Sequence, residues 1–559
     1  MAPPPRPQTS PAPVTLLAYD GTRTPAKTAL FVVVCLAWIL PGLVGHDPWK
    51  SDEAIAMGVV SEMLRSGNWL VPTLAGEPYP ERAPLFFWLA AASAGTLGKF
   101  LPLHDAARLA SGFFVAVTLA SVMVAASALH GPRAGRLAGL LLLGCFGLLI
   151  RAHEMSADLA ALAGVAMGVA GVTLAPKMPK RGGLLVGVGL AAAFLGNGLI
   201  SALLVIGLAA LAPLAWPAAR SRPYGLAMAI ALGCALMLGG LWPLLVSRAD
   251  PAFWSAWSTE AFATRWATDD FTGAASGLTY FAKILPWYAW PALPLAAWTL
   301  WKSRRGLAGR LNLRVPMLAT ALFFVLLTLL AEAREVNAMP LLIPLVLLGV
   351  AEVDNLPRGA ASALDWFGVM TFALVALLLW LAFAAALTGS PEAVARWLAR
   401  EVPGYHYSFR FVPVALAALL TCVWVVVVAS SLRSPRRAVV NWAAGITMVW
   451  MLTMMLGVPI IDQARSYRGL SASVAERVKG STCTLGAGLG VPQRALLDYF
   501  IGLRLTPATA PGAETCDTLL VQSTRGLAPE VDAARWQETW RGSRPGDGSE
   551  AFILYRRSS

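Results

Sequence analysis

Residues 47–88 concentrate Asp47, Lys50, Asp52, Glu53, Glu62, Arg65, Glu77, Glu81 and Arg82 in a chain of which only 13% is charged. The adjacent Asp52–Glu53 pair comes just after the first long apolar run. Carboxylates so placed can accept a proton or bind a hard cation, and a guanidinium beside them can hold an anion. A helix-like Met57–Ser66, a Gly67-Asn68-Trp69 turn and the Pro-rich segment 78–84 read as a folded loop at a membrane surface rather than a solvated connector, and mark the stretch as a candidate reaction site. Glu154, Asp158 and Arg334 stand at or inside the ends of other apolar runs, where an ionisable group is expensive and points to function. Polar outer loops alone would account for each residue singly, but poorly for their combination.

These residues must be positioned by membrane helices. The 559 residues are 57% apolar, with a mean hydropathy of +0.62. Apolar runs lie near 28–45, 105–129, 134–150, 156–174, 183–197, 199–217, 223–247, 278–301, 315–333, 337–355, 364–388, 411–431 and 438–459. That makes about thirteen helices able to cross roughly 30 Å of hydrocarbon. The formal charge of +13 sits in short loops between them, which suits orientation and lipid contact rather than nucleic acid. Residues 84–101 decide the topology. If they rest in the interface, with Trp88 at the membrane surface, then Arg133 and Arg136, Lys177 to Arg181, Arg220 and Arg222, Lys302 to Arg314, Arg358, and Arg433 to Arg437 share the cytoplasmic side. This places the N-terminus inside, the tail from about residue 460 outside, and the Asp52–Arg82 loop, the Arg151–Asp158 turn, the 248–277 loop and the Ala331–Asn337 connection together on the outer face.

Residues 1–27, rich in Pro, Ala and Thr with no compact apolar segment, are expected to form a disordered cytoplasmic tail. Cys35, Cys145, Cys234 and Cys422 fall inside apolar runs; Cys483 and Cys516 lie in the polar tail and could pair if it is outside the cytoplasm. In that tail the alternation predicts strands at Thr482–Leu489, Cys516–Gln522 and Ala551–Tyr555 and a helix at Gln493–Leu503, hence a small α/β domain over 461–559. Its Gly486-Ala-Gly488-Leu-Gly490 reads as a strand-to-helix turn, since it lacks the companions of a nucleotide site.

Asp52-Glu53, then Ser61-Glu-Met-Leu-Arg-Ser-Gly-Asn-Trp-Leu-Val-Pro72, Tyr79-Pro-Glu-Arg-Ala-Pro84 and Phe87-Trp88, resemble the first outer loop of the GT-C membrane glycosyltransferases: the aminoarabinose transferases that modify lipid A and their wider protein O-mannosyltransferase-like superfamily. Asp158 in its Arg-Ala-His-Glu-Met-Ser-Ala-Asp turn, Arg265-Trp266, Leu285-Pro286-Trp287, Arg334-Glu335 before Pro340, and Ile461-Asp462 extend the likeness over nearly the whole chain. The chain departs from the pattern at Ile55 and Ala56, where the family commonly carries Arg and Tyr, at Gly196-Asn197-Gly198, where it has Thr-Lys-Gly, and at Asn337, where it has Tyr.

The resemblance implies an α-helical polytopic GT-C fold. Residues 28–460 form the membrane catalytic domain, 46–104 the first outer loop with its surface helices, and 461–559 a periplasmic cap. It also implies a sugar donor carried on polyprenyl (undecaprenyl) phosphate, an acceptor on lipid A, another envelope glycan or a protein, and an inverting transfer at the outer face of a bacterial inner membrane. Arg82, Arg265 and Arg334 then grip the phosphate and stabilise the charge growing on the leaving group, for which bidentate guanidinium contacts suit better than a protonated carboxyl. For Arg265 and Arg334, headgroup contact is an equal alternative. Asp52 is the candidate base for an acceptor hydroxyl, or orients the sugar if the acceptor is itself a phosphate. Asp158 and Glu81 assist it, and Glu53, Tyr79, Asn197 and Asn337 complete the sugar site, although Glu53 could instead pair with an arginine and Glu81–Arg82 form a structural ion pair. No cofactor and no metal is expected to be required, no nucleic acid is a partner, and the chain is expected to act as a monomer. Two other functions fit less well: a flippase of polyprenyl-linked sugars, which would need ionisable residues at mid-membrane, and a non-catalytic assembly protein of the same fold.

Overall fold

The computed structural model describes residues 25–49, 51–263, 272–405, 407–430, 434–507, 510–545 and 547–558. The first helices are α1 (Pro25–Ile39), α2 (Asp52–Ser66), α3 (Leu85–Leu97), α4 (Leu103–His130), α5 (Pro132–Leu143), α6 (Phe146–Leu149), α7 (Ala157–Leu174) and α8 (Pro179–Ala215). They are followed by α9 (Arg222–Gly239), α10 (Leu241–Ala249), α11 (Pro251–Ala263), α12 (Thr272–Tyr288), α13 (Ala292–Ser303), α14 (Leu311–Leu330) and α15 (Met339–Gly349). The last are α16 (Arg358–Thr388), α17 (Glu392–Glu401), α18 (Phe411–Ser430), α19 (Pro435–Leu452), α20 (Val458–Arg465), α21 (Arg468–Val478) and α22 (Val491–Ile501).

The chain is a multi-pass membrane protein. Among the described residues nine helices are long and apolar enough to cross a membrane, ten if the bent pair α5 and α6 forms one span. Each of the thirteen apolar runs falls mainly in helix; the count by length is lower because α8 carries two runs, 278–301 is broken between α12 and α13, and α1 is short. Gly164 and Gly171 of α7 lie against Gly189–Ala193 and Gly182–Val186, yet Gly168 lies against both Gly189 and Val205. Residues 189 and 205, equally far in sequence from Asn197, thus stand at the same level of α7. The helix folds back on itself at Asn197 and Gly198, where the backbone leaves helical geometry and Gly198 takes a φ of 69°, a conformation glycine adopts without a Cβ penalty. Glycines every three or four residues let α7 and the first arm of α8 approach to backbone contact, as small residues do between membrane helices, while Val205 of the second arm packs its side chain on Gly168.

Residues 84–101 do not cross. Leu43 and Ile39 lie on Gly112, whereas Phe31 meets Gly139 beside Met123, so α1 and α4 run antiparallel and the chain between them leaves and returns on one face. At 13 residues, α3 is only about 20 Å long, short of the hydrocarbon thickness.

The loop from 40 to 102 is anchored by Arg108 of α4, whose side chain is wholly buried. Its Nε donates to Glu53 Oε1 at 2.5 Å and its Nη1 to Asp105 Oδ1 at 2.8 Å, and the guanidinium also bonds the carbonyls of Leu43 and His46 at 3.2 Å. Glu53 further accepts the Trp49 N–H at 3.1 Å. Beyond α2, the strands β1 (Thr73–Leu74) and β2 (Glu77–Pro78) form a two-residue hairpin whose turn residues Ala75 and Gly76 have φ of 50° and 85°.

The tail forms a five-stranded sheet of β3 (Thr484–Ala487), β4 (Thr506–Pro507), β5 (Thr518–Thr524), β6 (Trp536–Gly542) and β7 (Glu550–Arg557), in the order β4-β3-β5-β7-β6. The three pairings of β4, β3, β5 and β7 give a parallel core with an antiparallel flank, and β6 pairs antiparallel on the outer edge. The sequence pattern overlooks β6 because Trp-Gln-Glu-Thr-Trp-Arg-Gly is a mostly exposed edge strand whose two apolar side chains, Trp536 and Trp540, are four residues apart among polar ones and give no period-two alternation. Gly488 and Gly490 do form the turn from β3 into α22, and Cys483 and Cys516 are disulfide-bonded.

This cap is pinned to the first loop by ion pairs. Asp47 pairs with Arg468 and accepts from Ser466 Oγ at 2.6 Å; Asp462 Oδ1 accepts the Asp47 N–H and the Trp49 indole N–H, both at 2.9 Å. Glu62 meets Arg504 at 2.7 Å, Arg65 meets Asp498, and Glu77 meets Arg494 at 2.7 Å.

Breaking a buried pair leaves an uncompensated charge, so Arg108→Ala is expected to cost about 3–5 kcal/mol. Arg504→Ala, which removes a half-exposed partner, is expected to cost about 1 kcal/mol or less. Thermal unfolding of the detergent-solubilised variants checks the ranking.

Candidate active site

Four segments distant in sequence converge on the face that carries the first loop. Asp52 is the first residue of α2, presented by Ser51, whose φ of 85° is costly for a residue with a Cβ and is the kind of strain found at functional sites. The Asp52 carboxylate lies between two guanidiniums: Oδ1 is 3.5 Å from Arg334 Nη2 and Oδ2 is 3.9 Å from Arg151 Nη1. Arg151, in the turn before α7, also reaches Glu154 Oε2 at 2.8 Å and pairs with Glu335. Three acidic groups from three segments therefore share one arginine.

On the other side, Arg82 Nη1 bonds Asn197 Oδ1 at the α8 fold-back and lies 3.3 Å from Asp158 Oδ1. Asp158, buried in the first turn of α7, is itself held by Ser156, whose hydroxyl donates to Oδ2 at 3.0 Å. Among the described residues only Nη1 of Arg82 is engaged in this way. The remaining N–H groups of a rigidly held guanidinium are available to an anion. Tyr79, buried, donates its hydroxyl to Glu81 Oε2 at 3.1 Å.

Glu81, Arg82, Asn197, Arg334 and Asn337 line one cleft of about 170 Å³, together with Trp257, Glu260 and Glu332. The cleft opens between the first loop, the α8 fold-back, α11 and the connection after α14. Asn337 also donates to the Glu332 carbonyl at 3.1 Å.

Of the residues singled out from sequence, Asp52, Glu81, Arg82, Asp158, Asn197, Arg334 and Asn337 come together here. Glu53 does not: burial alone would raise its carboxyl, but the Arg108 guanidinium beside it holds it below the ordinary range, and the residue anchors the loop rather than facing the cleft. Tyr79 reaches the cleft only through Glu81. Arg265 lies outside the described residues. The sequence reading missed Arg151, although the rule that drew attention to Glu154, an ionisable group at a span end, applies equally to its neighbour three positions earlier. Burial pushes the Glu154 carboxyl up to about 7 against the opposing pull of Arg151. Among the described residues, no group of three or more His, Cys, Asp or Glu side chains is arranged to hold a metal ion.

No protein-family model matches the chain. It is 27% identical over 360 residues to the undecaprenyl phosphate-α-4-amino-4-deoxy-L-arabinose arabinosyl transferase 2 of Pseudomonas fluorescens (strain Pf0-1), a match that covers 62% of this chain and 63% of that protein, just under two thirds of its length. It is 25% identical over 555 residues to the corresponding transferase of Pseudomonas aeruginosa (strain UCBPP-PA14), covering 95% and 93% of the two chains. Among solved structures, ArnT from Cupriavidus metallidurans bound to undecaprenyl phosphate superposes with a TM-score of 0.66 at 17% identity, over 94% of this chain and 97% of that one. The chain thus has the GT-C fold, and the likeness to the aminoarabinose transferases first read in the outer loop extends along it.

Glu154 binds its proton more tightly in the folded chain than at its ordinary value, so the fold takes up a proton relative to the unfolded state and stability falls as pH rises from the ordinary glutamate range through about 7. Glu154→Gln is expected to melt with wild type at about pH 4, below the ordinary glutamate value, and above it at about pH 8, a difference that thermal unfolding at the two pH values detects.

Proposed function

We propose that this multi-pass GT-C protein is a glycosyltransferase that moves a sugar from a polyprenyl-phosphate donor to an acceptor at the face bearing the cleft. The reading takes lipid A as the acceptor and undecaprenyl phosphate as the carrier, in line with the names of the relatives. The observation that carries it is the cleft itself, where arginines and hydrogen-bonding side chains from distant segments meet beside Asp52.

In this reading the donor phosphate sits against the unengaged N–H groups of Arg82 and against Arg334, with Arg265 as a third contact. As the bond between the anomeric carbon and the phosphate oxygen breaks, the growing negative charge meets fixed guanidiniums rather than reorienting water. Asp158 and Asn197 act through Arg82 by fixing its plane. Asp52 faces the acceptor: it takes the proton of an attacking hydroxyl or, where the acceptor is already an anionic phosphate, orients the sugar for attack on the side opposite the leaving group, which inverts the anomeric centre. Glu81, braced by Tyr79, and Asn337 contact the sugar's polar groups. The chemistry needs no metal in this scheme.

The membrane placement follows the same logic. The basic loops lie on the face opposite the cleft, as expected of a cytoplasmic side, and the disulfide lies on the cleft side, as expected of an oxidising compartment. We take the chain as an inner-membrane protein with a cytoplasmic N-terminus, residues 28–460 as its catalytic membrane domain and 461–559 as a periplasmic cap over the acceptor's approach, acting as a monomer.

Asp52→Asn is expected to lower transfer by about 10²–10⁴-fold if the carboxylate removes a proton, and Arg334→Ala by about 10²-fold through loss of charge stabilisation. Mass spectrometry of envelope glycolipids from a deletion strain complemented with each form provides the measurement. A sugar-sized mass that vanishes in the deletion and returns with wild type names sugar and acceptor; full restoration by Asp52→Asn would remove Asp52 from the site.

A further inference from the structure

A second cavity, about 910 Å³ in volume, opens on the face opposite the cleft where α16 and α19 begin and α18 ends. Arg358, Asp365, Trp366, Val369, Val428 and Arg437 are prominent in its wall. It is far larger than an ion or a few waters require, a water's share of liquid volume being about 30 Å³.

Its charges are unequally spent. Asp365 forms an ion pair with Arg437, Oδ2 lying 3.0 Å from Nε, and its Oδ1 accepts from Asn441 Nδ2 at 2.7 Å; Asp354 at the rim is paired with Arg436. Arg358 is exposed and, among the described residues, has no carboxylate within 4.0 Å. The field left over in the cavity is therefore positive. Ser362 and Ser434 add hydroxyls to the wall, and α16 and α19 start here without a side-chain cap on their first N–H groups, which strengthens that field. The other wall is apolar: Trp366 is 65% exposed, and Phe367, Met370 and Leu374 continue an exposed apolar strip along α16. A cationic end that passes into an apolar strip at a membrane face matches an amphiphile rather than a soluble anion.

We propose that this cavity holds the phosphodiester headgroup of a membrane phospholipid, its phosphate on Arg358 and the start of one acyl chain along Trp366 and Val369. The site is separate from the sugar-transfer cleft and does not depend on how that cleft is read. Arg437 and Asp365 form its floor as a neutral pair, so Arg358 carries its selectivity for phosphate.

The full chain, purified in detergent, is examined by native mass spectrometry for retained phospholipid, then delipidated and followed by thermal unfolding on addition of vesicles of phosphatidylethanolamine and phosphatidylglycerol or of inorganic phosphate. Wild type is expected to retain phospholipid and to be stabilised by the vesicle lipid but not by inorganic phosphate. Arg358→Glu is expected to reduce retention at least tenfold, and the milder Arg358→Gln, which only removes the charge, to reduce it less, so that a folding defect in the first leaves the second to decide. Retention unchanged in Arg358→Gln and in Trp366→Ala, or stabilisation by inorganic phosphate equal to that by lipid, would overturn the proposal.

Discussion

A single guanidinium buried at the head of α4 sets the geometry on which the rest of the cleft-bearing face depends. Arg108 is taken wholly out of water, which is tolerable only because two carboxylates and two backbone carbonyls satisfy it. Those partners belong to the end of the first span, to the chain just after it and to α4 itself. Through Glu53 the arginine fixes the first turn of α2, and the neighbouring residue, Asp52, is thereby aimed at the opposite side, toward Arg151 and Arg334. One carboxylate of the Asp-Glu pair is spent on position so that the other can be held at the surface. The ion pairs between the loop and the C-terminal cap add a second clamp from outside: Asp47, Glu62 and Glu77 are each tied to an arginine of the tail.

The second constraint comes from the bilayer. Helices in lipid gain nothing from burying apolar surface against one another, so they pack by shape, and the glycines of α7 and α8 supply that shape. Their close approach lets α8 fold back on itself and deliver Asn197 to the face bearing the cleft, where Arg82 meets it. Because a backbone break is tolerated at membrane depth only where it is buried in protein or lines a cavity, its position beside a cleft is the physically acceptable one.

The charges of the site are balanced against each other rather than left open. Arg151 is shared by Asp52, Glu154 and Glu335, and Arg82 by Asp158 and Asn197. Such a network holds its members in place before any ligand arrives, and reserves for the ligand the donors that point into the cleft. Arg334, nearly half exposed, is the least committed of the three arginines.

What the sequence determined by itself was whatever a local rule could see. Apolar run length fixed the helices, the distribution of Lys and Arg grouped the loops by face, the density of charge in the first loop singled out Asp52, and the cost of a charge at a span end singled out Glu154, Asp158 and Arg334; these residues do converge. The order of motifs in the first loop carried the resemblance to the GT-C transferases. Only the tertiary structure decided the rest, because it turned on pairs far apart in the chain. Glu53 looks as exposed in sequence as Asp52, and only the approach of Arg108, 55 residues later, turns it inward. Arg151 is one more basic residue at a helix end until three carboxylates close on it. Residues 183–197 and 199–217 read as two spans and so imply a turn between them, but that the turn places the Asn197 amide on Arg82 is a contact between residues 115 apart that no local pattern contains. The edge strand β6, polar but for the half-buried Trp536 and Trp540, pairs with β7 residue by residue, a partner that no local alternation of apolar residues announces.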